Sequence, residues 1–136
     1  MQVNNKKQWV GIGSTLDTNS IYNSICKNGG AQISKHLSVT NTTGTVHTVT
    51  AAKTLQLVMV NFFHDAGGAG ISRIFVSDGS DTEQYTLFRT YTAINLPQSN
   101  SFNFPRPLEI PAGYKIKIIT NHADLTCFVY IFGEEI

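Results

Sequence analysis

The sequence predicts an all-β domain of the sandwich type. From about residue 36 onward, short runs of β-branched and aromatic residues alternate with Gly, Pro, Asn and Asp, at the spacing typical of antiparallel sandwiches and barrels. The periodicity of an amphipathic helix is nearly absent from this part of the chain. A chain of 136 residues is long enough for one such domain to bury a core without metal ions or disulfides.

Strands are assigned wherever β-branched and aromatic residues run between turn-forming residues. The predicted strands cover residues 36–40, 46–50, 55–64, 71–77, 85–88, 102–104, 108–110, 115–119 and 126–132. The longest apolar run, Leu55 to His64, is predicted to be a central strand. Residues 89–101 contain Pro97 and show no clear period, so we interpret them as a long loop that has room for a short strand at 92–94.

Polar and glycine-containing segments between these strands predict where the chain reverses. Asn41 to Gly44 would join the first two strands as a hairpin, and Asp78 to Asp81 would form another turn. Pro111 to Tyr114 suits a tight turn between antiparallel neighbours, because its proline at position i+1 presets φ and its glycine tolerates a positive φ. Asn121 to Asp124 would return the chain into the last strand.

Two strands carry apolar residues on both of their faces. Alternation predicts that Leu55, Leu57 and Met59 oppose Val58 and Val60, and that Phe128, Tyr130 and Phe132 oppose Val129 and Ile131. A sheet in a two-layer sandwich buries only one face, so the other face must be covered by more of this chain or by a second subunit. Since a chain of this length has little to spare for cover, the pattern predicts a homo-oligomer.

The N-terminal quarter differs in character from the rest of the chain. Residues 1–34 are sparse in apolar residues and rich in Asn, Ser, Thr and Gly, so we interpret them as an irregular arm ahead of a β-sandwich domain at 35–136. Within the arm, Ile21 to Cys26 fits a turn or two of helix or an edge strand, and both alternatives stay open.

The charge of the chain is low and nearly balanced. There are 10 Lys and Arg against 9 Asp and Glu, and charged residues make up 14% of the chain. With no net field and no arginine-rich run interleaved with aromatics, nucleic acid is not expected as a partner. No signal peptide is visible after Met1 and no long apolar run occurs, so we expect synthesis in the cytoplasm, without export or membrane insertion.

No motif of the sequence predicts catalysis, and no cofactor is expected. A nucleophile elbow of the form G-x-S-x-G is missing from the sequence. Gly11-Ile12-Gly13 begins like a dinucleotide-binding loop, but Leu16 stands where the third glycine is required. Gly67 to Gly70 is followed by Ile71-Ser72 and lacks the lysine of a phosphate loop, which favours a flexible connection.

The histidines do not form a recognisable metal-binding pattern. An H-x-H pair, which a cupin requires, does not occur among His36, His47, His64 and His122. His64 with Asp65, and His122 with Asp124, could meet in space as a metal or acid–base pair. Ordinary polar roles at strand ends and turns explain the same residues, and we favour them.

Three further sets of residues have both a binding and a structural interpretation. Asp78 to Glu83 offers oxygen donors that calcium could use, but Asp-Gly-Ser is also ordinary hairpin-turn chemistry. Cys26 and Cys127 have no CxxC or histidine companion, so two buried reduced thiols are favoured over zinc or a disulfide. The aromatic residues Trp9, Tyr22, Tyr85 and Tyr91 could stack against a sugar ring, or they could make contacts in the core or at an interface.

Several segments together resemble small virion proteins of tailed bacteriophages. These segments are Ser14 to Thr18, Ile21-Tyr22, the strand end Phe63-His64-Asp65, and Arg106 to Tyr114, with an aromatic closing strand behind them. The most characteristic unit is Leu108-Glu109-Ile110-Pro111-Ala112-Gly113-Tyr114 ahead of an alternating strand. It also resembles units of tail-fibre modules and of trimeric jelly rolls of the tumour necrosis factor type.

The resemblance implies a jelly-roll β-sandwich that acts as a capsid decoration, head-fibre or tail-associated protein, commonly as a trimer. It implies the virion as the location, with a major capsid or tail protein contacted by residues 1–34. It transfers no catalytic, cofactor-binding or metal-binding residues. Two other hypotheses stay open, a carbohydrate- or host-receptor-binding module whose site lies in loops 65–70 and 89–101, and a β-barrel metal enzyme.

Overall fold

The computed structural model of the chain describes residues 30–65, 68–92 and 97–136. Their strands are β1 (Ala31–Thr40), β2 (Thr43–Thr48), β3 (Leu55–His64), β4 (Gly70–Ser77), β5 (Glu83–Thr92), β6 (Gln98–Ile110), β7 (Lys115–Thr120) and β8 (Thr126–Glu135). Every pairing is antiparallel, and no helix occurs in this described part of the chain. Accordingly, none of these residues belongs to a helix that could span a membrane.

The strands form two four-stranded sheets that pack face to face as a sandwich. The first sheet has the order β1-β8-β3-β6 and the second has the order β2-β7-β4-β5. Consecutive strands therefore alternate between the sheets, except for β4 and β5, which pair with each other. This strand order is that of an eight-stranded jelly roll. The predicted all-β antiparallel sandwich is confirmed.

The predicted hairpin between the first two strands is wrong. β1 pairs with β8, whereas β2 pairs with β7 in the opposite sheet. At Gly44 β1 and β2 pack closely, because a Cβ atom there would come within 2.6 Å of Leu37 Cδ2 and 2.8 Å of Val39 Cγ1. β2 thus passes over the inward face of β1 and packs on it across the core, which a paired neighbour in the same sheet could not do.

The turn at Pro111 also joins the two sheets. Tyr114 N donates to Pro111 O at 3.2 Å, so the proline is the first residue of the turn and does not occupy position i+1. Gly113 has a φ of 79°, as its position in the turn requires and as predicted. The turn leads from β6 in the first sheet to β7 in the second, so the two strands are not the paired neighbours that the sequence predicted.

The loop predicted at 89–101 is largely strand. β5 continues to Thr92, and β6 begins at Gln98 and runs through two prolines to Ile110. The prolines are tolerated because β6 is an edge strand and its register against β3 shifts between Asn103 and Leu108, where residues 104–107 lie outside the ladder. Of the short strand expected at 92–94, residues 93 and 94 lie outside the described residues.

The core lies between the two sheets and is built from their inward-facing aliphatic and aromatic side chains. Its most buried aliphatic and aromatic members are Val49, Leu55, Leu57, Val60, Phe62, Ile74, Val76, Ile110, Ile116, Ile118 and Ile131. Cys127 is a buried free thiol beside them, while Cys26 lies outside the described residues. Residues 31–34, which the sequence assigned to the N-terminal arm, belong to β1, and residues 1–29 of the arm also lie outside the described residues.

Candidate functional site

Two exposed aromatic residues lie side by side on the outward face of the first sheet. Cross-strand pairing places Phe128 of β8 next to Phe63 of β3, with Ser38 of β1 and Ser99 of β6 at the two ends of the row. Phe63 and Phe128 are 41% and 44% exposed, and their ring centroids lie 5.7 Å apart. Two adjacent aromatic rings therefore face solvent in the middle of a sheet, where a single stable domain would normally present polar residues.

A second row of outward residues lies directly beside the aromatic pair. It runs from His36 through Tyr130 and Asn61 to Ser101 across the same four strands. The Tyr130 hydroxyl shares a hydrogen bond of 2.8 Å with Ser34 Oγ, and Ser101 Oγ donates to Asn61 Oδ1. Hydrogen bonds between neighbouring strands thus fix the polar side chains beside the rings.

These two rows line a groove with a volume of about 730 Å³, which we call the aromatic groove. Its lining residues are His36, Leu37, Ser38, Asn61, Phe62, Phe63, Ser99, Asn100, Ser101, Phe128, Val129 and Tyr130. The set contains no Lys, Arg, Asp or Glu. The groove combines an aromatic floor with hydroxyl and amide walls and carries no fixed charge.

Only some of the apolar residues that the sequence predicts on both faces of β3 and β8 are exposed on this surface. Phe132 is just 8% exposed, so the chain itself covers it. In β3 the register shifts between Leu57 and Met59, and this bulge places Leu57 and Val60 on the same inward face although they are three residues apart. The predicted alternation of Val60 against Leu57 is therefore wrong. On this face of the sheet, Phe63 and Phe128 are the exposed large apolar residues among those described.

The two histidine and aspartate pairs that the sequence singled out have structural roles. His64 is fully buried, and its Nδ1–H donates to the backbone oxygen of Asp65 at 2.9 Å. Asp65 Oδ1 accepts from Thr126 N at 3.0 Å, which ties the end of β3 to the start of β8. At the turn before β8, Asp124 N donates to His122 Nδ1 at 3.1 Å. Within the described ranges, no three His, Cys, Asp or Glu side chains come together as a metal site.

The carboxylates proposed as calcium donors bind separate partners. Asp78 Oδ1 accepts from Ser80 N and Thr82 N, each at 2.9 Å, which closes the hairpin between β4 and β5. Asp81 bridges two lysines of β7, and Glu83 pairs with Arg73 of β4. The arrangement is that of a turn cap and surface ion pairs, which agrees with the hairpin interpretation.

The aromatic residues considered for sugar stacking do not form one site. Tyr85 and Tyr91 lie six residues apart on β5, which corresponds to about 20 Å along a strand. Tyr91 is the more accessible of the two, at 74% exposed. Trp9 and Tyr22 lie outside the described residues.

The sequence reasoning missed Phe63, although two successive phenylalanines at a strand end require one ring to point outward.

Comparison with known proteins gives limited likenesses. No protein-family model matches the chain, and no curated protein matches it. Among solved structures, the chain is similar to the capsular polysaccharide assembling protein CapF from Staphylococcus aureus, with a TM-score of 0.32 and 13% identity over 79% of this chain and 25% of that chain. It is also similar to a chain of infectious bursal disease virus, Gt strain, with a TM-score of 0.29 and 14% identity over 82% of this chain and 31% of that chain.

This chain therefore spans less than a third of the length of either protein. Likenesses at these scores carry no conclusion about what the chain does.

Proposed function

We propose that this chain is a structural protein of a virus particle, which acts by assembling with copies of itself and by attaching to a capsid or tail protein. The observation that carries the proposal is the exposed pair of Phe63 and Phe128 in the aromatic groove. The jelly roll is an architecture of viral capsid proteins, although lectins use it too and a fold alone does not define a function. The resemblance of the sequence to small phage virion proteins favours the first use.

A second copy of the chain suits the groove because the groove is uncharged. We place the groove on the symmetry axis of the oligomer, where equivalent residues of the copies face one another, so any fixed charge there would face its own like charge. None of the lining residues is Lys, Arg, Asp or Glu. Hydroxyl and amide groups such as those of Tyr130 and Asn61 both donate and accept, so each can pair with the same group of a neighbour.

The aromatic rings would supply the driving force for assembly. Burying the exposed part of each ring contributes about 1 kcal/mol. Each copy brings two rings, so the gain multiplies with the number of copies. The resemblance to phage proteins favours three copies, and we propose a homotrimer in which residues 1–30 of each copy, ahead of β1, contact the particle.

Light scattering after size-exclusion chromatography tests the assembly. We expect a mass of three times the 14.9 kDa monomer for the natural chain, and a monomer for Phe128→Thr, which keeps a strand-forming residue but removes the ring. Tyr91→Thr is the matched control, since it removes an exposed ring from the second sheet and should leave the oligomer intact. A natural chain that stays monomeric at micromolar concentration would contradict the proposal.

Attachment to the particle is tested separately. Removing residues 1–30 should abolish co-sedimentation with virus particles and leave a folded oligomer, because the described sandwich begins at Ala31. Attachment that survives the deletion would remove the N-terminal segment from the mechanism.

A second candidate function is the binding of a host glycan, and the strongly exposed ring of Tyr91 favours it. An aromatic ring that faces solvent offers a stacking face for a sugar. Binding to a glycan array that is lost in Tyr91→Thr and kept in Phe128→Thr would support this function. An array without any signal would exclude it.

A further inference from the structure

The outward face of the second sheet brings together two arginines and one exposed tyrosine. Pairing of β4 with β5 places Arg73 opposite Arg89 and Ile71 opposite Tyr91. Side chains two residues apart on a strand point to the same face, so these four residues form a rectangle on the surface. Ile119 of β7 pairs with Arg73 from the other side and extends the same face.

The charges in this rectangle are not balanced. Like charges directly opposite each other on paired strands repel. Glu83 neutralises Arg73 through an ion pair, and the guanidinium of Arg73 also lies 4.6 Å from the centre of the Phe75 ring. The hydrogen bond from Arg73 lowers the pKa of Glu83, so this carboxylate is ionised at neutral pH. Among the described residues, no carboxylate forms an ion pair with Arg89.

A cleft of about 440 Å³ lies over this face. Besides the two arginines and Glu83, it is lined by Ile71, Thr86, Ile119 and Asn121. Asn121 Oδ1 accepts from Ile71 N at 2.7 Å, which orients the amide and leaves its NH2 group as a donor toward a ligand. The cleft therefore offers a guanidinium, an amide donor, a hydroxyl and two aliphatic walls.

We propose that this cleft binds a carboxylated sugar of the uronate or sialate type. The carboxylate pairs with Arg89 and the adjoining edge of Arg73, in the fork geometry that guanidinium groups offer to planar oxyanions. The sugar ring lies against Tyr91 and Ile71, and its hydroxyls bond to Asn121 and Thr86. Two arginines against one glutamate leave one positive charge in the lining, which matches one carboxylate better than a doubly charged phosphate.

The inference names a ligand class for glycan binding and is independent of assembly through the aromatic groove. The two sites lie on opposite outward faces of the sandwich, the groove on the first sheet and the cleft on the second. Failure of one proposal therefore leaves the other standing.

Amide chemical shifts of the full chain, titrated with sodium glucuronate, test the proposal. We expect shift changes along β4 and β5 with glucuronate or N-acetylneuraminate. Glucose at the same concentration, in sodium chloride of equal ionic strength, should cause none, because it shares the ring of glucuronate but lacks the carboxylate. Arg89→Gln should weaken binding by about tenfold or more, since it removes a charge-assisted hydrogen bond. Phe128→Thr is the control and should bind as the natural chain does.

Three outcomes would overturn the inference. These are equal binding of glucose and glucuronate, equal binding by Arg89→Gln and the natural chain, and no binding of any carboxylated sugar at millimolar concentration. If a glycan array then shows neutral glycans alone, the ligand class is wrong while glycan binding as a function stands. Stronger shifts with inorganic phosphate than with glucuronate would likewise overturn the preference for a carboxylate.

Discussion

His47 Nε2 lies 2.7 Å from Glu135 Oε1, and this contact joins the two sheets of the sandwich. His47 belongs to β2 of the second sheet and Glu135 to β8 of the first. The same carboxylate oxygen accepts from Thr50 N at 3.0 Å, which fixes the chain just after β2. A nearly buried carboxylate thus holds together parts of the chain that lie more than eighty residues apart in sequence.

Because of the contact between His47 and Glu135, we expect the free energy of unfolding to fall in acid. Burial raises the pKa of Glu135, but the hydrogen bonds from Thr50 and His47 and the charge of His47 outweigh it, so the pKa is lowered on balance. A carboxylate with a lowered pKa stabilises the fold above its ordinary pKa, and this contribution is lost as the pH falls through the lowered value. Glu135→Gln should therefore reduce the free energy of unfolding by about 2 kcal/mol at pH 7, and by less at pH 3.

Urea denaturation of both proteins between pH 7 and pH 3 measures this difference. Glu109→Gln is the matched control, because Glu109 is an exposed carboxylate on the edge strand β6. The control should follow the natural chain at every pH. A constant difference between Glu135→Gln and the natural chain over the whole range would show that the charge of Glu135 is not involved.

The position of Gly133 in β8 has no room for a side chain. A Cβ atom there would lie 2.4 Å from the backbone oxygen of Gln56 on β3, and backbone cannot move aside as a flexible side chain can. Gly133→Ala should destabilise the fold by about 3 kcal/mol, the upper end for overpacking. Gly79→Ala is the control, since its Cβ would meet nothing closer than 3.7 Å. Thermal unfolding compares the two variants, and an equal melting temperature would contradict the expectation.

The strands could be predicted from local sequence, whereas their partners could not. The sequence predicts β3 with the bounds that the structure shows, Leu55 to His64, because a long run rich in Val and Phe is typical of a central strand. The pattern of β1 and β2 is equally compatible with a hairpin and with a crossing between sheets. In the structure, Gly44 packs closely against Leu37 and Val39 across the core, and such a contact depends on three-dimensional packing that local sequence does not reveal.

The candidate site shows the same limit. Of the apolar residues predicted on the two faces of β3 and β8, only Phe128 is exposed, and the exposed ring of β3 belongs to Phe63, which that prediction did not include. The bulge after Leu57 could not be predicted from alternation, because one extra residue reverses every following side chain. The pairing of Arg73 with Arg89 depends on the register of the β4–β5 hairpin, which shifts twice along its length. Neither the groove nor the cleft was therefore accessible to sequence reasoning.

Cys127 should be unreactive in the folded protein. Burial raises the pKa of its thiol to about 12, so almost no thiolate is present at neutral pH. In a Cys26→Ser variant, where Cys127 is the remaining thiol of the two in the chain, iodoacetamide should react slowly in buffer and rapidly in concentrated urea. Mass spectrometry follows the alkylation. Complete modification within minutes in buffer would show that the thiol is accessible in the native state.

Asp81 should titrate below other aspartates, and its contribution to stability should depend on the salt concentration. Lys117 Nζ and Lys115 Nζ lie 2.7 Å and 2.9 Å from its Oδ1, and their hydrogen bonds lower the pKa of Asp81 to about 2. Because the carboxylate is exposed, salt screens these pairs and side-chain entropy offsets their gain. Asp81→Asn keeps a residue that tolerates the φ of 67°; it should lower the melting temperature in low salt, where the lysines hold the ionised carboxylate, and leave it almost unchanged in high salt. Carbon-detected NMR should show the Asp81 carboxylate titrating near pH 2 in low salt and at higher pH in Lys117→Gln, while the exposed control Lys53→Gln should not move it. An ordinary midpoint in the natural chain would mean that the lysines do not hold this carboxylate in solution.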